Sequence, residues 1–156
     1  VWETKTYIYM ISLKIEDIPD FNPKFAVAGT FLFVREKILL LQRAAHKPQG
    51  ETWGVPAGKI NHLEDRQAGA RRELLEETGI SLWPHLFEHK HTFYVRNEKK
   101  QYDFIYEVFI VRMCTKPAVN INIEEHVDYE WKTPSDALLV NLMDDEDEVI
   151  KHTFNL

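Results

Sequence analysis

Residues 63–78 repeat with helical spacing, and the segments on both sides of them are rich in Val, Ile, Phe, Tyr and Leu, as strands are. One helix of that length among strands restricts the chain to a layered α+β or α/β arrangement, with the helix laid on a sheet. Upstream, Trp53-Gly54-Val55-Pro56-Ala57-Gly58-Lys59 forces a sharp turn into the helix, and Gly79 stands where a helix end needs left-handed backbone. Residues 24–34 and 37–42, separated by the polar pair Arg35-Glu36, predict a hairpin of two core strands. Residues 91–96 and 101–112 predict a second hairpin around Asn97-Glu98-Lys99-Lys100. Shorter strands are expected at 7–13 and 129–131, and Thr133-Pro134-Ser135 reads as a helix start.

Without repeats or low-complexity linkers, the 156 residues suit a single domain, with residues 1–22 as an N-terminal extension or extra strand. Cys114 is the only cysteine, so packing alone must hold the core, and 44% apolar residues supply one. The balance of 19 Lys and Arg against 25 Asp and Glu leaves a charge of −6, which argues against wrapping a polymeric nucleic acid. A small phosphorylated ligand held through a metal is compatible with it. No apolar run reaches the roughly 18 residues of a membrane helix. The start, Val1-Trp2-Glu3, has no basic segment leading into an apolar stretch, so a cytoplasmic protein is expected. The aromatic segment 2–9 reads equally as a homodimer interface strand and as an edge strand within one subunit. The acidic run Asp144-Asp145-Glu146-Asp147-Glu148 is expected to be the solvated first turn of a last helix, favoured there by the helix dipole.

The chemistry lies in Arg72-Glu73-Leu74-Leu75-Glu76-Glu77-Thr78. At about 100° per residue, setting Glu73 at 0° puts Glu76 near 300° and Glu77 near 40°, so the three carboxylates share one face. Ala68, Leu74, Leu75 and Thr78 then form the face expected to pack on the sheet, while the small Gly69 and Ala70 leave room for a ligand or loop. Three like charges at spacings of three and four repel, and more strongly when water is excluded. Arg72 offsets part of this. The oxygen-only donor set suits Mg²⁺ or Mn²⁺, hard ions that bridge carboxylates to phosphates.

Gly58, five residues, Glu64, seven residues, Arg72-Glu73-Leu74, one residue, Glu76-Glu77, one residue and Gly79-Ile80 resemble the Nudix box at every specified position. The chain is thereby identified as a member of the Nudix hydrolase family, with the box at 58–80 and weaker likeness from the strand around Ala26 to Trp131-Lys132-Thr133-Pro134. The resemblance implies an α+β fold, an α/β/α sandwich in which a mixed sheet lies between helices. It also implies Mg²⁺-dependent hydrolysis of a nucleoside diphosphate linked to another group. On the same ground Glu73, Glu76 and Glu77 are expected as metal ligands, Arg72 as the residue that orients them, Glu64 as a structural or outer contact, and Gly58 as the point where the loop passes the metal site closely.

A base must take the proton from the attacking water. The candidates are a box glutamate and Glu125, since Ile123-Glu124-Glu125-His126 is similar to a Glu-His segment that supplies an extra metal-binding or basic carboxylate in several Nudix enzymes. Arg43, at the end of its strand, is a candidate phosphate contact through its planar fork. Lys59, Trp53, Tyr94 and Tyr102 are candidate substrate contacts, and Phe104 lies on the same hairpin as the tyrosines.

The proline that follows the box in ADP-ribose enzymes is absent from Phe93-Tyr94-Val95-Arg96-Asn97, and Tyr94 and Tyr102 straddle, without matching, the tyrosine of diadenosine polyphosphate enzymes. The NADH and coenzyme A signatures are absent too. A nucleoside triphosphate, ordinary or damaged, is the substrate left by elimination. Two alternatives are a nucleotide-sensing Nudix module without catalysis and an isopentenyl diphosphate isomerase, for which Cys114 would have to reach the site.

Overall fold

Two twelve-residue strands, β2 (Pro23–Val34) and β7 (Tyr102–Met113), run parallel through the middle of the molecule and pair from end to end. The computed structural model describes residues 9–156. Around this pair the described residues form an eight-stranded mixed sheet. Its order is β1 (Tyr9–Ser12), β6 (Glu88–Asn97), β7, β2, β3 (Lys37–Arg43) and β4 (Trp53–Gly54), with β5 (Ala57–Lys59) on β2 and β8 (His126–Lys132) on β3. The strand expected at 7–13 is seen as β1, paired antiparallel with β6; residues 1–8, and with them nearly all of the segment considered for an interface, lie outside the described residues.

Both hairpins form where turn chemistry places them. Arg35 and Glu36 take positive φ (49° and 67°), the geometry that matches a two-residue loop to the twist of its strands. The second hairpin pairs β6 with β7 out to Asn97 and Tyr102.

Side chains alternate along β2 and divide between two cores. Phe31 joins Ile38, Leu40, Phe93, Val108 and Ile110 under α2 (Pro134–Ala137) and α3 (Glu146–Phe154), through Ala137, Val149 and Ile150. Ala28 and Leu32 join Leu39, Leu41, Phe109 and Val111 under α1 (Arg66–Thr78), through Ala70 and Leu74. Each fully buried Leu, Ile or Phe contributes about 1.5–3 kcal/mol, so two filled faces hold the sandwich without a disulfide. Helices therefore cover both faces of a mixed sheet, as expected. Among the described residues no helix is long and apolar enough to cross a membrane.

Three expectations require correction. Helix α1 begins at Arg66, because Asp65 caps it by accepting the Ala68 N–H at 2.8 Å; Leu63, expected inside the helix, is outside it and exposed. Leu75, placed on the packing face, is 48% exposed, and Glu77 is buried instead. The helix lies on the split sheet with its acidic arc rolled inward. Finally, the acidic run opens the last helix as expected but is not solvated throughout: Asp144 and Asp147 are exposed, whereas Glu146, where α3 starts, is 7% exposed and follows Asp145 in left-handed geometry with no side-chain cap. Glu146 precedes Val149 and Ile150 by three and four positions, so it shares their buried face.

Candidate active site

Strand β2 pairs with β5 along Val27 to Gly29 and with β3 only at Phe33 and Val34, so the sheet splits beside β2. Helix α1 packs against β2 and β5 at this split, and its C-terminus is closed by Gly79 at φ 72°. The loop before the helix folds back over it: Gly69 faces Ile60 and Glu64, so its missing side chain accommodates a loop. Gly58 sits against Glu73 so closely that a Cβ there would fall inside the carboxylate.

Arg72 is the hub of the acidic face. Nε donates to Glu64 Oε2 at 2.9 Å and Nη2 to Glu64 Oε1 at 3.0 Å, a bidentate fork. Its Nη1 donates to Glu73 Oε1 at 2.7 Å and Glu76 Oε2 at 3.2 Å, and Nη2 also reaches the Lys59 carbonyl at 2.9 Å. These contacts hold the guanidinium pKa above its usual range, chiefly through the Glu64 hydrogen bond. The same bond draws the Glu64 carboxyl below the ordinary carboxylate value. Glu64 is thus committed to Arg72 and to the Asn61 N–H at 3.0 Å, a structural part.

The remaining glutamates are graded by depth. Glu76 is half-exposed, so its contact with Arg72 contributes well under about 1 kcal/mol. Burial pushes the Glu73 carboxyl up against the opposing pull of Arg72. Glu77 is 4% exposed; burial raises its pKa well above the carboxylate value, the Glu73 charge adds to this, and the Ala57 N–H donating to Oε2 at 3.2 Å opposes it. Glu125, in the turn before β8, adds its charge to the field at both Glu73 and Glu77. The Ala44 N–H, donating to the Glu125 carbonyl at 2.8 Å, ties that turn to the end of β3.

Among the described residues no three His, Cys, Asp or Glu side chains are already gathered on one point as a metal requires. Arg72 accounts for that, because it draws Glu73 and Glu76 to itself. The donor chemistry nevertheless fits a divalent cation: carboxylate oxygens only, with Glu73 and Glu77 raised chiefly by burial and further by neighbouring carboxylates. A substitution separates this close packing from ordinary strand structure. Gly58→Ala should push the Glu73 carboxylate out of the space beside the loop and weaken Mg²⁺ binding by more than about tenfold. The melting temperature should fall only slightly, because the displaced group is a flexible side-chain end. Calorimetric titration with Mg²⁺ and a thermal melt check both halves.

A cavity of about 230 Å³ opens beside Gly58. Arg43, Lys59, Tyr102, Phe104 and His126 line it, as do Phe25, Tyr106, Asp145 and Glu146. Arg43 therefore reaches the site, with Nε donating to the Pro48 carbonyl at 2.8 Å, and Lys59 lies 4.5 Å above the Phe25 ring. His126 is buried, and burial lowers its pKa to about 4, so the ring is neutral. Two candidate contacts are not brought to this cavity. Trp53 packs against the core cluster, and Tyr94 on β6 meets Phe21 edge to face at 5.3 Å. Each follows from strand alternation, which sends these rings to other neighbours. Cys114, needed by an isomerase reading, is exposed just past the end of β7 and does not line the cavity. Asp145, Glu146 and Tyr106 escaped the motif reading; the signals available for them were the helical spacing of Glu146 and Gly29, whose bare Cα admits the Tyr106 ring.

The NUDIX domain family pattern matches residues 23–153. No curated protein sequence matches this one. Among solved structures, a MutT NUDIX hydrolase from Burkholderia pseudomallei superposes with a TM-score of 0.73 at 20% identity, over 85% of this chain and 98% of that one. A MutT protein from Methanosarcina mazei Go1 gives 0.70 at 22% identity, over 86% and 95%. The NUDIX domain of Shewanella oneidensis NrtR, complexed with ADP ribose, gives 0.70 at 23% identity, over 84% and 86%. At these identities the likeness speaks for the fold.

Proposed function

The chain belongs to the NUDIX family, and from that membership we propose that it is a Mg²⁺- or Mn²⁺-dependent pyrophosphohydrolase acting on a nucleoside diphosphate linked to another group, with a nucleoside triphosphate, ordinary or damaged, as the fitting substrate. One observation carries this reading: the half-buried Glu73 and the buried Glu77, both with raised carboxyls and with Glu125 adding to the same field, form an acidic pocket beside a cavity that also holds Arg43 and Lys59. Glu73, Glu76, Glu77 and Glu125 would hold the cation. When bound, it would polarise a phosphoryl oxygen, acidify a water and offset charge on the leaving phosphate.

The rest of the chemistry belongs to the protein. Arg72 would keep its Glu64 fork and its Lys59 carbonyl contact if Glu73 and Glu76 turned to a cation, so the acidic face would stay oriented. Arg43 and Lys59 would receive the phosphate chain. Water oxygen bonds to one phosphorus as the bridging P–O bond breaks, and the leaving phosphate keeps the bridging oxygen. The water's proton passes to the Glu125 carboxylate. Glu125 is assigned that role because Arg72 donates to Glu73 and Glu76 and the Ala57 N–H donates to Glu77 Oε2, whereas Glu125 comes from a separate turn.

Two measurements test this. With Mg²⁺ present, phosphate or pyrophosphate should be released from at least one member of a panel of nucleoside triphosphates, nucleotide sugars, dinucleotides and capped RNA. Activity should rise above neutral pH. Mg²⁺ should bind in calorimetry, more weakly in Glu76→Gln. Nucleotide binding without any hydrolysis would instead identify a sensing module, and no metal uptake with or without nucleotide would refute the site.

A further inference from the structure

A groove of about 410 Å³ opens from the mouth of the cavity, lined by Lys24, Arg43, Lys59 and Lys100 and, among the described residues, by no acid. Arg43 and Lys59 line both spaces and so mark their junction, whereas Lys24 and Lys100 line the groove alone. None of the four cations forms an ion pair with a described residue. In a chain with 25 acids and a charge of −6, a gathering of cations without acids runs against the overall balance. Like charges held together repel one another, and an entering anion reverses the sign of that cost.

Local structure places both outer lysines. On β2, Pro23 pairs with Asp103 and Phe25 with Phe104, so Lys24 has no partner on β7 and is the extra residue of a bulge. Neighbours on a regular strand point to opposite faces, and the bulge lets Lys24 and Phe25 line the same groove. Lys100 stands in the turn between β6 and β7. Its N–H donates to Asn97 Oδ1 at 3.1 Å, and Gln101 follows in left-handed backbone at φ 58°. Solvated lysines need neither device.

The charge pattern specifies the ligand. Arg43 and Lys59 at the junction suffice for a short phosphate chain, so cations farther out meet a ligand only if its negative charge continues past them. A neutral sugar gains nothing there, and a metal cation is repelled. A lysine ammonium on its flexible stem binds phosphate as a point charge, which suits successive phosphates better than one group of fixed geometry. Resting on the pyrophosphohydrolase reading, which it deepens, we propose that Lys24 and Lys100 form an outer anion site for phosphates beyond those received by Arg43 and Lys59. The chain thereby prefers nucleotides whose phosphate chain is longer than a triphosphate.

Equilibrium binding of ADP, ATP, adenosine 5′-tetraphosphate and diadenosine tetraphosphate without added metal tests this independently of turnover. At least one tetraphosphate should bind about tenfold more tightly than ATP, and which one does so tells whether the chain of phosphates ends free or in a second nucleoside. Lys24→Gln and Lys100→Gln should each reduce that ratio severalfold while ADP binding changes less than about twofold. Melting curves verify that both variants are folded. Lys37→Gln, at an exposed lysine outside the groove, should leave the ratio unchanged. Equal binding of ATP and both tetraphosphates, no binding of either tetraphosphate at millimolar concentration, an unchanged ratio in both folded variants, or an equal loss in Lys37→Gln would overturn the proposal. Preference for a tetraphosphate without hydrolysis on adding Mg²⁺ supports it while removing the catalytic reading. Hydrolysis without that preference overturns it and leaves the catalytic reading intact.

Discussion

Glu77→Gln should lower turnover by about two to four orders of magnitude while the chain stays folded. The reason is the contrast between what the side chain does for the fold and what its charge does for the site. Glutamine has the same shape, and its carbonyl oxygen can still accept the Ala57 N–H that holds Glu77 Oε2 at 3.2 Å. What it loses is negative charge at the most buried point of the acidic face. That charge is unfavourable to the metal-free fold. Burial raises the Glu77 pKa, so its contribution to stability is fully present below the unfolded value near 4.5 and is lost as pH rises through the folded value. Metal-free Glu77→Gln should therefore melt at or above the wild-type temperature at pH 8 and show little difference at pH 5. Added Mg²⁺ should raise the wild-type melting temperature and leave the variant unmoved. Retained turnover, or a variant that gains as much stability from Mg²⁺ as the wild type, would remove Glu77 from the site.

Stability should also fall from neutral to alkaline pH because of Asp145 and Glu146. Both carboxyls are raised, to about 7 and about 8, chiefly by burial. The sign is the same for each: the neutral form suits the fold, so the stabilisation is complete below about pH 4 and disappears as pH passes the folded values. A tenfold change in a group's proton affinity on folding corresponds to about 1.4 kcal/mol. Asp145 keeps some solvent and the two groups share one repulsion, so a total loss of about 2–4 kcal/mol is expected by pH 9. His126 acts on the other side. Its pKa is lowered to about 4, so its contribution is present above 6.5 and lost as pH falls toward 4. Urea denaturation at pH 6, 7.5 and 9 measures the alkaline limb, and Glu146→Gln should flatten it. A limb unchanged by that substitution would show that Glu146 ionises freely in the folded chain.

The residues behind these two expectations differ in how far they could be read from the chain alone. Glu73, Glu76 and Glu77 follow from helical winding, and Arg35-Glu36 and Gly79 follow from turn and cap geometry, all local properties of a few consecutive residues. Rotation of the helix about its own axis is another matter. The wheel treats Leu75 and Glu77 only by angle, and the contacts of α1 with β2 and β5 decide that Leu75 faces solvent and Glu77 faces inward. A run of five acids likewise looks solvated until Val149 and Ile150 draw Glu146 into the core beside Gly54.

Short-range pattern determined the main strands, the one long helix, its C-terminal end and the acidic motif on it, because hydrogen-bond geometry and side-chain spacing act between neighbours in sequence. Which charges are buried and which of the candidate aromatic rings line the cavity were decided by tertiary structure alone. Desolvation and repulsion depend on atoms brought together from distant segments: Ala57 to Glu77, Gly58 to Glu73, and Asp145 and Glu146 to the cavity beside the box.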